Sequence, residues 1–141
     1  MAKRTQDNQQ ICPCGSGRPY LACCAPLLEK GTAARTAEAL MRSRYTAYVL
    51  GREDYLRQTW HPDSRPGSLD LDPQQNWLGL KVLRTEQGGE NDDEGIVEFV
   101  ARFKVAGRGQ RLHEISRFVR ADGRWLYLDG ERGATDASRK P

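Results

Sequence analysis

Four cysteines stand within thirteen consecutive residues, Cys12-Pro-Cys-Gly-Ser-Gly-Arg-Pro-Tyr-Leu-Ala-Cys-Cys24, and the rest of the 141-residue chain contains none. Thiolates suit tetrahedral Zn2+, which takes sulfur ligands at about 2.3 Å, so two cysteine pairs joined by a tight loop can wrap one ion. The pairs here are Cys12/Cys14 and Cys23/Cys24. Between them, Gly15-Ser16-Gly17 can reach backbone conformations closed to residues with a Cβ and aim N–H groups at the sulfurs. Tyr20 and Leu21 then begin a helical turn that returns Cys23 and Cys24 to the metal. So small a segment has almost no core. Metal binding, on the order of 10 kcal/mol in zinc peptides, is expected to drive its folding, with the rest of the chain folding independently. The spacing alone leaves a pair of disulfides and a redox dithiol as alternatives. A reducing cytosol disfavours the first, and the second usually has a C-x-x-C at a helix start, not C-x-C followed by adjacent cysteines.

The elements that must position these residues follow from periodicity. Thr36 is a candidate N-cap, after which Ala37, Leu40, Met41, Arg44, Tyr45 and Tyr48 recur at helical spacing until Gly51. A second short helix is predicted over 52–60, where Tyr55, Leu56 and Trp60 share a face and His61-Pro62 ends it. Residues 26–35 read as a linker anchored by Leu27 and Leu28, and 62–73 as a loop. Strands are predicted at 77–86, 95–106, 110–121 and 124–129, with Asp122-Gly123 as a two-residue hairpin turn. In the second strand Val97, Phe99, Ala101, Phe103 and Val105 alternate with Glu98, Arg102 and Lys104, the pattern of a sheet with one wet face. Helices followed by hairpin-linked strands define an α+β domain, N-terminal helices packed on a curved four-stranded antiparallel sheet, preceded by the small zinc module. The expected division is a disordered tail at 1–10, the module at 11–30, the α+β domain at 31–130 and a second disordered tail at 131–141.

The run Cys-Pro-Cys-Gly-Ser-Gly-Arg-Pro-Tyr, ending in Cys-Cys, resembles the SEC-C motif, the zinc module best known from the tail of the SecA translocation motor. That resemblance maps the ligand roles onto Cys12, Cys14, Cys23 and Cys24, with Zn2+ as cofactor. The whole chain resembles the YchJ-like proteins, a small bacterial family in which a SEC-C motif precedes a domain of the nuclear transport factor two-like type. Ala37-Glu-Ala-Leu-Met-Arg-Ser-Arg-Tyr45, Tyr48, Trp60-His61, Glu98-Phe-Val-Ala101, His113-Glu114, Ser116, Phe118, Trp125, Tyr127 and Gly130 carry it. The resemblance implies a cone with a pocket between sheet and helices, and little about activity.

Within such a cone, Leu112 and Phe118 share strand parity with Glu114 and Ser116, so inward apolar side chains bring the polar ones with them. Polar groups inside a cone mark a pocket. Arg44 lies between Leu40 and Tyr48 on the apolar helix face and is expected to form a buried ion pair with Glu114. The candidate pocket for a small polar ligand is Arg44, Tyr48, His61, His113, Glu114, Ser116 and Trp125. No catalytic residue set is assigned, because no Ser/His/Asp order, phosphate loop or spaced carboxylate pair is present.

The formal charge of +3, from 22 basic and 19 acidic residues without a basic block, argues against nucleic acid. Four thiolates around one divalent ion would lower that sum to +1. No stretch approaches the about 18 apolar residues of a membrane span, and the polar first ten residues are not a secretory signal, so a cytoplasmic location is expected. The functional expectation is a zinc-binding accessory or adaptor protein whose module contacts a protein partner, such as a secretion chaperone or the ribosome. The alternatives are a small-molecule-binding protein or enzyme working in the cone, with Glu114 or His113 as acid or base, and a ribosome- or nucleic-acid-associated factor. Monomer and dimer are both compatible with the sequence.

Overall fold

The structure, a computed structural model, describes residues 10–69 and 71–132. The expected tails at 1–10 and 131–141 lie outside it, apart from Gln10, Glu131 and Arg132. Three helices come first, α1 (Ala25–Lys30), α2 (Ala37–Leu50) and α3 (Glu53–Gln58), and four strands follow, β1 (Gln75–Gln87), β2 (Glu94–Val105), β3 (Arg108–Ala121) and β4 (Arg124–Arg132). The strands form one antiparallel sheet in the order β1-β2-β3-β4.

Local chemistry explains the ends of α2 and the last hairpin. Thr36 caps α2, its Oγ1 accepting the Ala39 backbone N–H at 3.0 Å, and Gly51 closes the helix in the left-handed conformation at φ 72°. The hairpin residues Asp122 and Gly123 both have positive φ, which matches the twist of the flanking strands. Register shifts at Trp77/Gly79 and Val82/Arg84 in β1, and at Arg117/Phe118 against β4, bend the sheet into its curve.

Two segments differ from the sequence expectation. Residues 26–35 do not all form a linker, because α1 occupies the first part with Pro26 in its opening turn and left-handed Gly31 at its end. At six residues it is too short to show a period, yet Leu27 and Leu28 pack on the core. Strand β4 also runs to Arg132, into the segment read as a tail.

The core is one cluster. Leu40, Met41, Tyr45, Val97, Phe99, Phe118 and Trp125 belong to it together with Cys12, Cys14 and Cys24. The cysteine segment is therefore packed into the α+β domain and is not an appendage. Helix α2 is buried nearly all round, including the polar Ser43, Arg44 and Thr46. Its first turn meets the β1–β2 hairpin closely, since the Ala37 N–H donates to Gly88 O at 2.9 Å. A Cβ on Gly95 would lie 2.5 Å from Gly88 Cα and 3.1 Å from the Ala37 Cβ. Gly95→Ala is thus expected to destabilise the fold by about 2 kcal/mol through overpacking. Urea denaturation of the metal-loaded protein measures this, and a loss below about 0.5 kcal/mol would mean that the hairpin shifts freely.

Candidate functional site

The cysteine loop is closed by its own backbone. The Cys12 N–H donates to Arg18 O at 2.9 Å, the Tyr20 N–H to Gln10 O at 2.8 Å, and the Cys23 N–H to Tyr20 O at 3.0 Å across a single 3-10 turn, Tyr20–Ala22. Gly15 takes φ 82°, and a Cβ there would stand 2.8 Å from Leu80 O, so the loop sits directly on β1. These constraints bring the four sulfurs within 4.8 Å of one another, with Cys14 to Cys23 at 3.6 Å and Cys23 to Cys24 at 4.0 Å. Metal–sulfur bonds of about 2.3 Å in a tetrahedron require sulfurs about 3.8 Å apart, so the donor set fits one metal ion with side-chain adjustments of at most about 1 Å.

Side chains of α2 complete the site. The buried Thr46 hydroxyl donates to Cys24 Sγ at 3.4 Å and lies 3.7 Å from Cys12 Sγ. One turn earlier, Arg42 donates from NH1 to Cys14 O at 2.7 Å and from Nε to Glu38 at 3.0 Å. On the outer side Ser16 Oγ and Arg18 lie 3.1 and 3.7 Å from Cys23 Sγ. The Cys12 thiol holds Cys14 well below the ordinary thiol range, while hydrogen bonding to Cys12 and Cys14, together with burial, pushes Cys24 up. One thiolate fed by neighbouring thiols is stable there, and four thiolates need a cation.

A second feature lies on the other side of α2. A cavity of about 390 Å3 opens between the helix and the sheet, walled largely by aromatic rings. Arg44 reaches into it with its side chain buried, NH1 donating to Leu56 O at 2.8 Å and Thr59 Oγ1 at 2.7 Å. Its guanidinium carbon lies 4.9 Å from the Trp60 ring centroid and 4.7 Å from that of Tyr127. Glu114 enters from β3, and its Oε2 accepts from Ser116 Oγ at 2.7 Å and Tyr127 OH at 2.9 Å. A Cβ on Gly130, opposite Ser116 in the register, would overlap the Glu114 carboxylate, so the glycine makes room for that side chain.

Of the seven pocket candidates, Arg44, Tyr48, Glu114 and Ser116 line this cavity, whereas His61, His113 and Trp125 do not. His113 follows Leu112 in the strand and so faces the other side of the sheet, where its Nε2 lies 2.6 Å from Glu98 Oε2. That contact, then Arg84, holds the Glu98 carboxyl below its usual range. His61 shapes the turn after α3, its backbone N–H bonding Tyr127 O at 2.8 Å and its Nδ1 accepting from the Asp63 N–H. Trp125 is a core residue whose Nε1 donates to Arg35 O. The direct Arg44–Glu114 ion pair is not formed, because Leu56, Thr59 and two rings take the guanidinium while Ser116 and Tyr127 take the carboxylate. Burial works against the Arg44 charge, with Tyr48, Tyr127 and, more weakly, Glu114 offsetting it. Thr46 and Arg42 were not expected at the site, and Trp60 and Tyr127, aromatic residues first expected in the core, line the cavity. Only the helical spacing of 42 and 46 and the aromatic type of 60 and 127 could have signalled them.

A curved α+β cone with a four-cysteine module docked on its helix defines a class of two-part bacterial proteins. The family model described as YchJ, middle NTF2-like domain matches residues 36–130, and the SEC-C motif model matches 10–26. A UPF0225 protein of Chromobacterium violaceum is 53% identical over 91% of this chain and 97% of its own length. Another, from Streptomyces coelicolor, is 51% identical over 85% and 94%. Among solved structures, a SEC-C motif containing protein from Rhodopseudomonas palustris superposes with a TM-score of 0.78 at 40% identity, covering 88% of this chain and 99% of that one. One from Psychrobacter arcticus gives 0.72 at 30% identity, covering 90% and 85%. The chain belongs to this YchJ family, whose similar members carry the name UPF0225.

Because three of the four sulfurs sit in the common core, metal removal is expected to weaken the whole chain. Chelation should lower the thermal transition by at least about 10 °C, followed by circular dichroism and by tryptophan fluorescence. An unchanged transition of the sheet domain after complete metal loss would refute this coupling.

Proposed function

We propose that the chain is a cytoplasmic, zinc-binding accessory protein whose N-terminal module makes the contact with a protein partner. The observation that carries this reading is the polarity of the module. Cys12, Cys14 and Cys24 turn inward, while Ile11 and Leu21 stand 57% and 53% exposed on the same small loop. Four sulfur ligands leave no open coordination position, so the metal holds shape and does no chemistry. Zinc is the ion that best suits four thiolates with no redox requirement. What the metal would hold in place is a loop that exposes two apolar side chains and Arg18, the kind of small anchor a partner surface buries. No helix among the described residues is long and apolar enough to cross a membrane, which accords with a partner reached in the cytoplasm.

The test replaces Ile11 and Leu21 together by Asp in the full zinc-loaded chain, with Glu114→Gln as control. Crosslinked partner recovered from the host cytosol should fall at least about tenfold for the double variant and stay unchanged for the control. Equal recovery from the double variant, with one zinc per chain retained, would overturn the reading. One iron per chain in freshly purified protein would overturn the metal assignment.

A further inference from the structure

The cone cavity holds two opposite charges that do not satisfy each other. Arg44, 6% exposed, commits only NH1 to protein acceptors, and its Nε and NH2 have no hydrogen-bond partner among the described residues. Glu114 receives both its donors, Ser116 and Tyr127, on Oε2, and Oε1 accepts from none of the described residues. Both side chains line the same space of about 390 Å3. An unpaired guanidinium edge facing a ring-lined chamber is costly unless something fills the gap.

We propose that this cavity is a binding site for a small zwitterion with a flat apolar body, such as an aromatic α-amino acid. Its carboxylate seats on the free edge of Arg44 and its ammonium on Oε1 of Glu114. Its ring lies against the cavity wall formed by Tyr45, Tyr48 and Trp77, which pack on one another with centroids 5.6 Å apart in the Tyr45–Trp77 pair and 5.7 Å apart in the Tyr48–Trp77 pair. The charge pattern selects this class. A simple anion would meet the Glu114 carboxylate, a simple cation would meet Arg44, and a neutral hydrocarbon would leave both without partners. Gly130 supports the assignment, since the fold leaves room there for the Glu114 carboxylate. This site does not depend on the partner contact proposed above, and either can fail alone.

Calorimetric titration of the full zinc-loaded chain with three probes tests it: L-phenylalanine, hydrocinnamate, which lacks the ammonium, and phenethylamine, which lacks the carboxylate. Phenylalanine is expected to bind with Kd on the order of 1 mM or tighter, and the two analogues at least about tenfold more weakly. In Glu114→Gln, which keeps an acceptor for Ser116 and Tyr127, phenylalanine and hydrocinnamate should bind within about threefold of each other. Equal binding of hydrocinnamate and phenylalanine to the unaltered chain would overturn the proposal. So would no binding of any probe up to about 20 mM. If Glu114→Gln does not fold, the three-probe comparison on the unaltered chain decides alone.

Discussion

The contact between the cysteine loop and helix α2 is the constraint on which the remaining architecture depends. It rests on Thr46, whose fully buried hydroxyl reaches two sulfurs, and on Arg42, which grips the carbonyl of Cys14. Glu38, Arg42 and Thr46 are spaced four apart, so they form one stripe along the helix. The stripe converts a loop with no core of its own into part of the common core. A metal ion held by the four cysteines would then stabilise more than the segment that supplies them.

The same helix organises the cavity from its other sides. Ser43 bonds Tyr55 of α3 at 2.7 Å, and Arg44 holds the carbonyl of Leu56. Beyond α3, a parallel bridge ties Trp60 to Tyr127 and brings both rings onto the guanidinium. The cavity is thus framed by a helix fixed at its back by the metal loop. The cysteine cluster and the cavity share the α2 scaffold without sharing a residue.

Periodicity made the elements readable. The 3.6-residue pattern after Thr36, the alternation through Val97 and Phe99, and the Asp122-Gly123 turn each report a local constraint that burial only reinforces. The cysteine cluster was legible for a related reason, because its short spacing forces the four sulfurs close together in space. What stayed hidden depends on polar groups finding partners far along the chain. Thr46 looks like an ordinary helix threonine until its sulfur neighbours, 22 and 34 residues away in sequence, are in place. Parity put Glu114 and Ser116 on one face with Leu112 and Phe118, all of which line the cavity, yet it could not tell that Tyr127 and not Arg44 would take the carboxylate. Applied to His113, parity already pointed away from the cavity. Helix α1 was lost because a six-residue helix opened by proline carries the same composition as a linker.

The central claim, that α2 and the cysteine loop form one body through Thr46, is tested most directly by Thr46→Val, which keeps shape and removes the hydroxyl. Metal affinity, measured by competition with a chromophoric chelator, is predicted to fall at least about tenfold although residue 46 is not a ligand. The thermal transition of the metal-loaded protein should fall with it. An affinity equal to that of the unaltered chain would contradict the account, because it would show that the loop holds its metal without the helix.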